Sequence, residues 1–375
     1  MSTTAYLLRA KVLLLLFGGI AGAAGYSPAQ QLPPDDPRWI EQDWLAPRSK
    51  PEEALTQRLC VITLSTNHLD SVRLFYVQGM GMTLEGPLKA DRRTQKRQRR
   101  LWGIPDSLNW YQYRLHRPEV EGEIEIRLLV FDKPVPAIHS GYDPLELGPL
   151  SIGFPNLDQT KLDGHIRSLG FGALSRLESG RIARPDGQLY TIYETIFNAP
   201  DFTHCVGITR GDGMRQMAPV DSATGHGGPG YSAQVVHNAE EVLAFYTQVL
   251  GLELRSDRQW RSSANSALGI PEGIPFRFSI VYPQGARSGQ LLFLDFEDER
   301  ERPSAHPPRL PYRGIGMWTF ETHNLREIRR RAQEARTPVL HPPLRLDSPD
   351  LGQITVMTML DPNGFAVEVF QKTPR

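Results

Sequence analysis

Cysteine is scarce: the chain has 375 residues and only 2 cysteines, too few for a disulfide scaffold or a four-thiolate zinc site. An excess of charge of either sign is also missing. Lys+Arg and Asp+Glu are 42 each, so the chain as a whole is not built to bind nucleic acid. No G-x-S-x-G, P-loop or dinucleotide fingerprint stands in a strand–turn–helix context. After the first residues no apolar run is long enough to cross a membrane as a helix. What is present is an ordinary globular profile, 40% apolar and 22% charged, with length for two or three domains. The 31 prolines and 33 glycines predict many turns.

Arg9 and Lys11 precede the apolar run Val12 to Ile20, and Ala21-Gly22-Ala23-Ala24-Gly25 follows. A basic region, a short apolar core and an A-x-A site make residues 1–25 an expected signal peptide. The mature protein is therefore expected in the periplasm or the medium, with an uncleaved membrane tether as the alternative. Residues 26–56 carry Pro33, Pro34, Pro37, Pro47 and Pro51 and read as a proline-rich linker or arm.

Beyond this arm one local grammar recurs four times: a β-like run, an Asn, an acidic or amide residue three positions later, then a helical pattern. The pairs are Asn67 with Asp70, Asn156 with Gln159, Asn238 with Glu241, and Asn324 with Glu327. Asn is a favoured N-cap, and a side chain at the third helical position can bond back to it. The helix after Asn238 gathers Val242, Phe245, Tyr246, Val249 and Leu250 on one face, with Gly251 as its stop. Leu101-Trp102-Gly103-Ile104-Pro105 is echoed by Leu268-Gly269-Ile270-Pro271, and each precedes two β-like runs. Those runs are about 110–115 and 123–131, then 276–282 and 290–296. Each unit thus reads as β-α-β-β-β. Pairing the units in chain order predicts domains over 57–215 and 229–375, joined by a glycine-rich connector over 216–228.

Phe245-Tyr246 followed by Val249-Leu250-Gly251-Leu252 resembles the vicinal oxygen chelate superfamily, which includes glyoxalases, extradiol dioxygenases and bleomycin-type resistance proteins. The closing Asp361-Pro362-Asn363-Gly364-Phe365-Ala366-Val367-Glu368-Val369-Phe370 resembles that superfamily's turn and last strand more closely. The resemblance covers nearly everything after residue 57. It implies an α+β fold of two domains, each a pair of βαβββ units forming a curved, partly open mixed β-sheet barrel around a cavity. It says little about function, since this fold hosts unrelated reactions.

Metal-dependent members of that superfamily commonly use two His and a Glu on the first strands and the last strand. Here the corresponding residues of the C-terminal half are Tyr231, Met317 and Glu368, so no conventional His-His-Glu centre is expected. His237 and His323 abut the caps at strand ends and read as capping or solvent-facing. In the N-terminal half, counting from the cap gives Cys60, while counting from Phe75-Tyr76 gives Val61. The last-strand equivalent is Val206, beside Cys205. A disulfide between Cys60 and Cys205 and two buried thiols both remain open.

Strand alternation predicts a cavity lined by Tyr231, Met317, Thr319, Glu321, Glu368 and Phe370, among others. Two carboxylates in a half-apolar pocket would raise one pKa and create an acid/base pair, against the plainer reading that Glu321 sits on the strand edge and pairs with an Arg. The leading expectation is an enzyme, a metal-independent lyase or isomerase acting on a small, partly apolar organic molecule. Glu368, Glu321 and Tyr231 would be catalytic, and Met317, Thr319 and Phe370 substrate-binding. The alternatives are a non-catalytic small-molecule binding protein and a metal enzyme of glyoxalase or dioxygenase type with displaced ligands. No cofactor is predicted, although a divalent metal stays open. The basic run Arg92 to Arg100 offers contact with an anionic surface, against a solvated helical face as the plainer reading. Oligomeric state is not legible.

Overall fold

The structure is a computed structural model describing residues 50, 53–120, 124–183, 189–262, 266–286, 288–296 and 301–373. The expected signal peptide, and the arm up to residue 49, lie outside the described residues.

All four repeats take the expected order. The first runs β1 (Thr56–Thr66), α1 (Leu69–Val72, continuing as a π-helix over Arg73–Gly79), β2 (Thr83–Glu85), α2 (Arg92–Leu101), β3 (Trp110–His116) and β4 (Glu125–Phe131). The second is β5 (Gly148–Pro155), α3 (Gln159–Ser168), β6 (Glu178–Ala183), β7 (Leu189–Asn198) and β8 (His204–Arg210). The third is β9 (Tyr231–Val235), α4 (Ala239–Ala244, continuing as a π-helix over Phe245–Val249), β10 (Glu253–Arg261), β11 (Pro275–Tyr282) and β12 (Gln290–Asp295). The fourth is β13 (Gly314–Thr322), α5 (Leu325–Glu334), β14 (Val339–Ser348), β15 (Gly352–Leu360) and β16 (Ala366–Lys372).

Two of the four expected caps form. Asn238 and Asn324 accept from the backbone N–H groups of Glu241 and Glu327. In the second unit Asp158 is the cap, accepting from Lys161, while Asn156 bonds to Gln159 and to the Ile208 carbonyl. Asn67 turns outward from its helix and ties the loop after β4, through the Phe131 and Lys133 carbonyls and the Val135 N–H.

The strands form two eight-stranded mixed sheets. Their composition corrects the chain-order pairing of units. The first sheet joins the first unit to the fourth, in the order β14-β15-β16-β13-β1-β4-β3-β2. The second joins the third to the second, in the order β10-β11-β12-β9-β5-β8-β7-β6. The glycine-rich stretch 216–228 therefore connects two units of one sheet. The sheets are instead linked by the segments after β4 and after β12, which run side by side through the bridges Ala137–Arg313 and Glu146–Arg302. Local patterning defines each unit but not which first strand it meets, because that pairing is a long-range event.

Alternation then sorts the side chains. One face of each sheet packs, with the helices, into a shared core that includes Ile62, Phe75, Tyr76, Phe154, Tyr246, Phe293, Trp318 and Val367. Trp318 donates its indole N–H to Ser232 Oγ at 3.0 Å and so ties β13 to β9 across the sheets. The face of each sheet turned away from this core, its distal face, has a core of its own. Leu101, Trp102 and Ile104 fill it on the first sheet, and Ala267, Leu268 and Ile270 on the second. The two sequence echoes are thus the plugs of the two distal faces. Helix α2 presents Thr94, Gln98 and Leu101 inward and leaves Arg92, Arg93, Lys96 and Arg100 exposed.

The Asp-Pro-Asn-Gly turn carries a testable charge effect. Burial pushes the Asp361 carboxyl up to about 6, against the opposing hydrogen bonds from the Phe365 and Asn363 N–H groups and the Tyr246 hydroxyl. A folded-state pKa raised above the unfolded value of about 3.8 gives stability that is present at low pH and lost as pH rises through 6. Wild type should therefore lose about 3 kcal/mol relative to Asp361→Asn between pH 4 and pH 8. Urea unfolding of both proteins at the two pH values measures it; parallel profiles would refute it.

Candidate functional site

Glu368 lies on β16, in register with Thr319 of the parallel strand β13. Both point to the distal face of the first sheet, and the Thr319 hydroxyl donates to Glu368 Oε1 at 3.0 Å. Arg127 of β4 reaches the same oxygen with Nη1 at 3.0 Å, and its Nε donates to Asp350 Oδ2 at 2.6 Å. Trp102 donates its indole N–H to Glu368 Oε2 at 2.8 Å, and its ring lies 5.1 Å from the Arg127 guanidinium carbon. The side chains of Arg127, Asp350 and Glu368 are 1%, 4% and 2% exposed, so no bulk water screens the set. Burial alone would disfavour the Arg127 cation, but Asp350 and Glu368 outweigh it and hold its pKa above the ordinary value. Burial likewise works against the Asp350 carboxylate; Arg127 and the Ser348 hydroxyl reverse that and leave its pKa low.

Glu321, expected to share a raised pKa with Glu368, is instead clamped by cations. It binds Arg58 Nε at 3.0 Å and Lys372 Nζ at 3.1 Å. Burial pushes its pKa up, but Lys372 and Arg58 hold it below the usual range. The premise of a high-pKa carboxylate therefore fails at Glu321, since opposite charges sit closer to it than any like charge the sequence could suggest. Met317 and Phe370 are buried in the distal core of the first sheet, and Thr319 is spent on Glu368. Tyr231 is not with them. It belongs to β9 in the second sheet, so the six expected site residues divide between two faces.

Among the described residues no three His, Cys, Asp or Glu side chains converge as a metal site. His237 and His323 are exposed, and His237 pairs with Glu301 at 2.8 Å. Cys60 and Cys205 are free, buried and on different sheets. Burial pushes each thiol up to about 12, so neither is a ready thiolate. The two sequence alignments that gave Cys60 and Val61 disagree by one residue for a structural reason. A bulge lies between Leu59 and Val61, and it places both side chains in the distal core.

On the distal face of the second sheet Tyr231 is fully buried, and its ring covers Gly153 of the neighbouring strand. A Cβ at Gly153 would stand 1.7 Å from that ring. Burial, then Glu194, then Cys205 raise the Tyr231 pKa well above 10. Beside Tyr231 in register is Gln290, also fully buried, and neither polar atom of its carboxamide has a hydrogen-bond partner among the described residues. Ala233, Leu292, Leu294, Ile280 and Phe278 supply the surrounding apolar surface. Trp260 and Phe276 pack against it, half-buried, from β10 and β11.

The Glyoxalase/Bleomycin resistance protein/Dioxygenase superfamily profile matches residues 228–369. The third and fourth units thus match that superfamily in sequence. The fold of the whole chain is that of solved glyoxalase structures. Two mutants of glyoxalase I from Zea mays superpose at TM-scores of 0.53 and 0.52, each at 15% identity. They cover 86% and 84% of this chain, and 95% and 92% of their own. No curated protein matches the chain in sequence.

A metal centre of the vicinal oxygen chelate kind does not fit the first sheet. Its first-strand positions hold Val61 and Met317, which are not ligands for a hard divalent ion. The carboxylate at Glu368 already faces the Arg127 cation. Sequence reasoning missed Arg127, Asp350 and Trp102 as members of this site. One signal was available: Arg127 interrupts the apolar strand Ile126 to Phe131, and a charge there must be paired.

Proposed function

We propose that the protein binds a small, partly apolar organic molecule against the distal face of the second sheet, and that binding rather than acid/base turnover is its activity. The observation that carries this is the Gln290 carboxamide. A buried amide without partners costs about 1–3 kcal/mol, and a ligand that meets it recovers the loss. Tyr231 stands next to it as a second polar group, and the aliphatic and aromatic neighbours suit an apolar body. The carboxylate chemistry expected from Glu368 and Glu321 is less favoured, because Arg127, Trp102, Thr319, Arg58 and Lys372 already engage both groups.

A thermal-shift screen with small aromatic and aliphatic carbonyl and hydroxyl compounds tests the proposal, with mass spectrometry of each mixture. Gln290→Leu should weaken a hit about tenfold or more while raising the stability of the unliganded protein by about 1 kcal/mol. That opposed pair of effects marks a polar group kept for recognition. A hit insensitive to Gln290→Leu and Tyr231→Phe would sink the site. A new product in the mixture would restore the lyase or isomerase reading.

A further inference from the structure

The strand registers of the first sheet define an internal twofold relation between its units. Val61 and Thr63 pair with Glu125 and Arg127 across β1 and β4. Met317 and Thr319 pair with Ala366 and Glu368 across β13 and β16. Between the units Val61 faces Thr319 and Thr63 faces Met317. Exchanging the units therefore superposes Val61 on Met317, Thr63 on Thr319, and Arg127 on Glu368. The two threonines obey this relation chemically. Thr319 donates to Glu368, and Thr63 accepts from Arg127 Nη1 at 3.4 Å. The two equivalent last-strand positions thus carry opposite charges that meet at 3.0 Å on the axis of the repeat. A second carboxylate, Asp350, comes from the fourth unit at 2.6 Å.

We infer that the Arg127 guanidinium is a resident, covalently attached cation that takes the place of a metal ion between the first and fourth units. The fourth unit contributes two carboxylates and the first unit one cation, and Trp102 closes the set from above. Because the cation belongs to the chain, its grip on the sheet cannot be removed by a chelator. If the side chain is cut away, two buried carboxylates are left facing a guanidinium-sized hole, and that hole should accept a cation from solution.

Arg127→Ala tests this. Its Tm should fall by about 10 °C. Guanidinium chloride at about 20 mM, far below denaturing levels, should restore part of the loss, and so should manganese(II) chloride. The same additions should leave wild type unmoved or slightly lowered. Arg127→Lys, which keeps the charge, should lie between the two and respond less. If Arg127→Ala cannot be purified, Arg127→Lys and the metal content of wild type still decide the matter. An Arg127→Lys Tm equal to wild type, or an Arg127→Ala Tm that ignores both cations, would overturn the inference. So would wild type retaining about one divalent metal per chain whose chelation lowers its Tm.

Discussion

Replacing Glu368 by Gln should cost about 3 kcal/mol of folding stability, near the lower end of the range for breaking a buried ion pair. The substitution keeps the shape of the side chain, so packing contributes little. It removes the charge that Arg127 meets at 3.0 Å, although Asp350 remains to compensate in part. A second loss is specific to the amide. Both oxygens of Glu368 receive donors, from Arg127 and Thr319 on one side and Trp102 on the other. A carboxamide can accept on one side only, so an N–H must confront another N–H or O–H whichever way it is turned. Urea unfolding followed by tryptophan fluorescence measures the effect, and Trp102 reports it locally. A cost below about 1 kcal/mol together with lost turnover would instead mark Glu368 as a catalytic base.

Trp318→Ala should cost about 3–5 kcal/mol, the range for deleting a large aromatic from a close-packed core. Trp318 is fully buried and meets Phe365 edge-on at 4.7 Å, with Tyr246 and Phe293 at 5.9 and 6.3 Å. Its indole N–H satisfies Ser232 on the other sheet, so the variant loses packing between the two layers as well as within one. Trp318→Phe, which refills most of the volume but not the hydrogen bond, should recover more than half. Equal losses for Phe and Ala would place the whole effect in the hydrogen bond and contradict the packing account.

The parts of the fold legible in the sequence are those fixed by neighbours in the chain. The closing turn is one: Asp361 accepts from the N–H groups of Asn363 and Phe365, two and four residues on. The runs near 110–115 and 276–282 are strands β3 and β11 almost to the residue. The caps divided because Asn67 and Asn156 found other partners, 64 to 68 and 52 residues away, that no local pattern could weigh. The same limit governs the site. Arg127 meets Asp350 and Glu368 across 223 and 241 residues. Pairing of Glu321 with an Arg was legible as one of two readings, but not which Arg, since Arg58 lies 263 positions earlier.

The order of units within the sheets also bears on how the chain is made. The second sheet lies between Gly148 and Asp295, within one uninterrupted stretch, so all its strands are present well before synthesis ends. The first sheet lies around it like an outer pair of brackets, with β1 waiting for β13, and β13 for β16. A nascent chain should therefore acquire its middle before its beginning. A stop codon just ahead of β13 should expose Thr56 to Phe131, at the opposite end of the polypeptide, to proteases first.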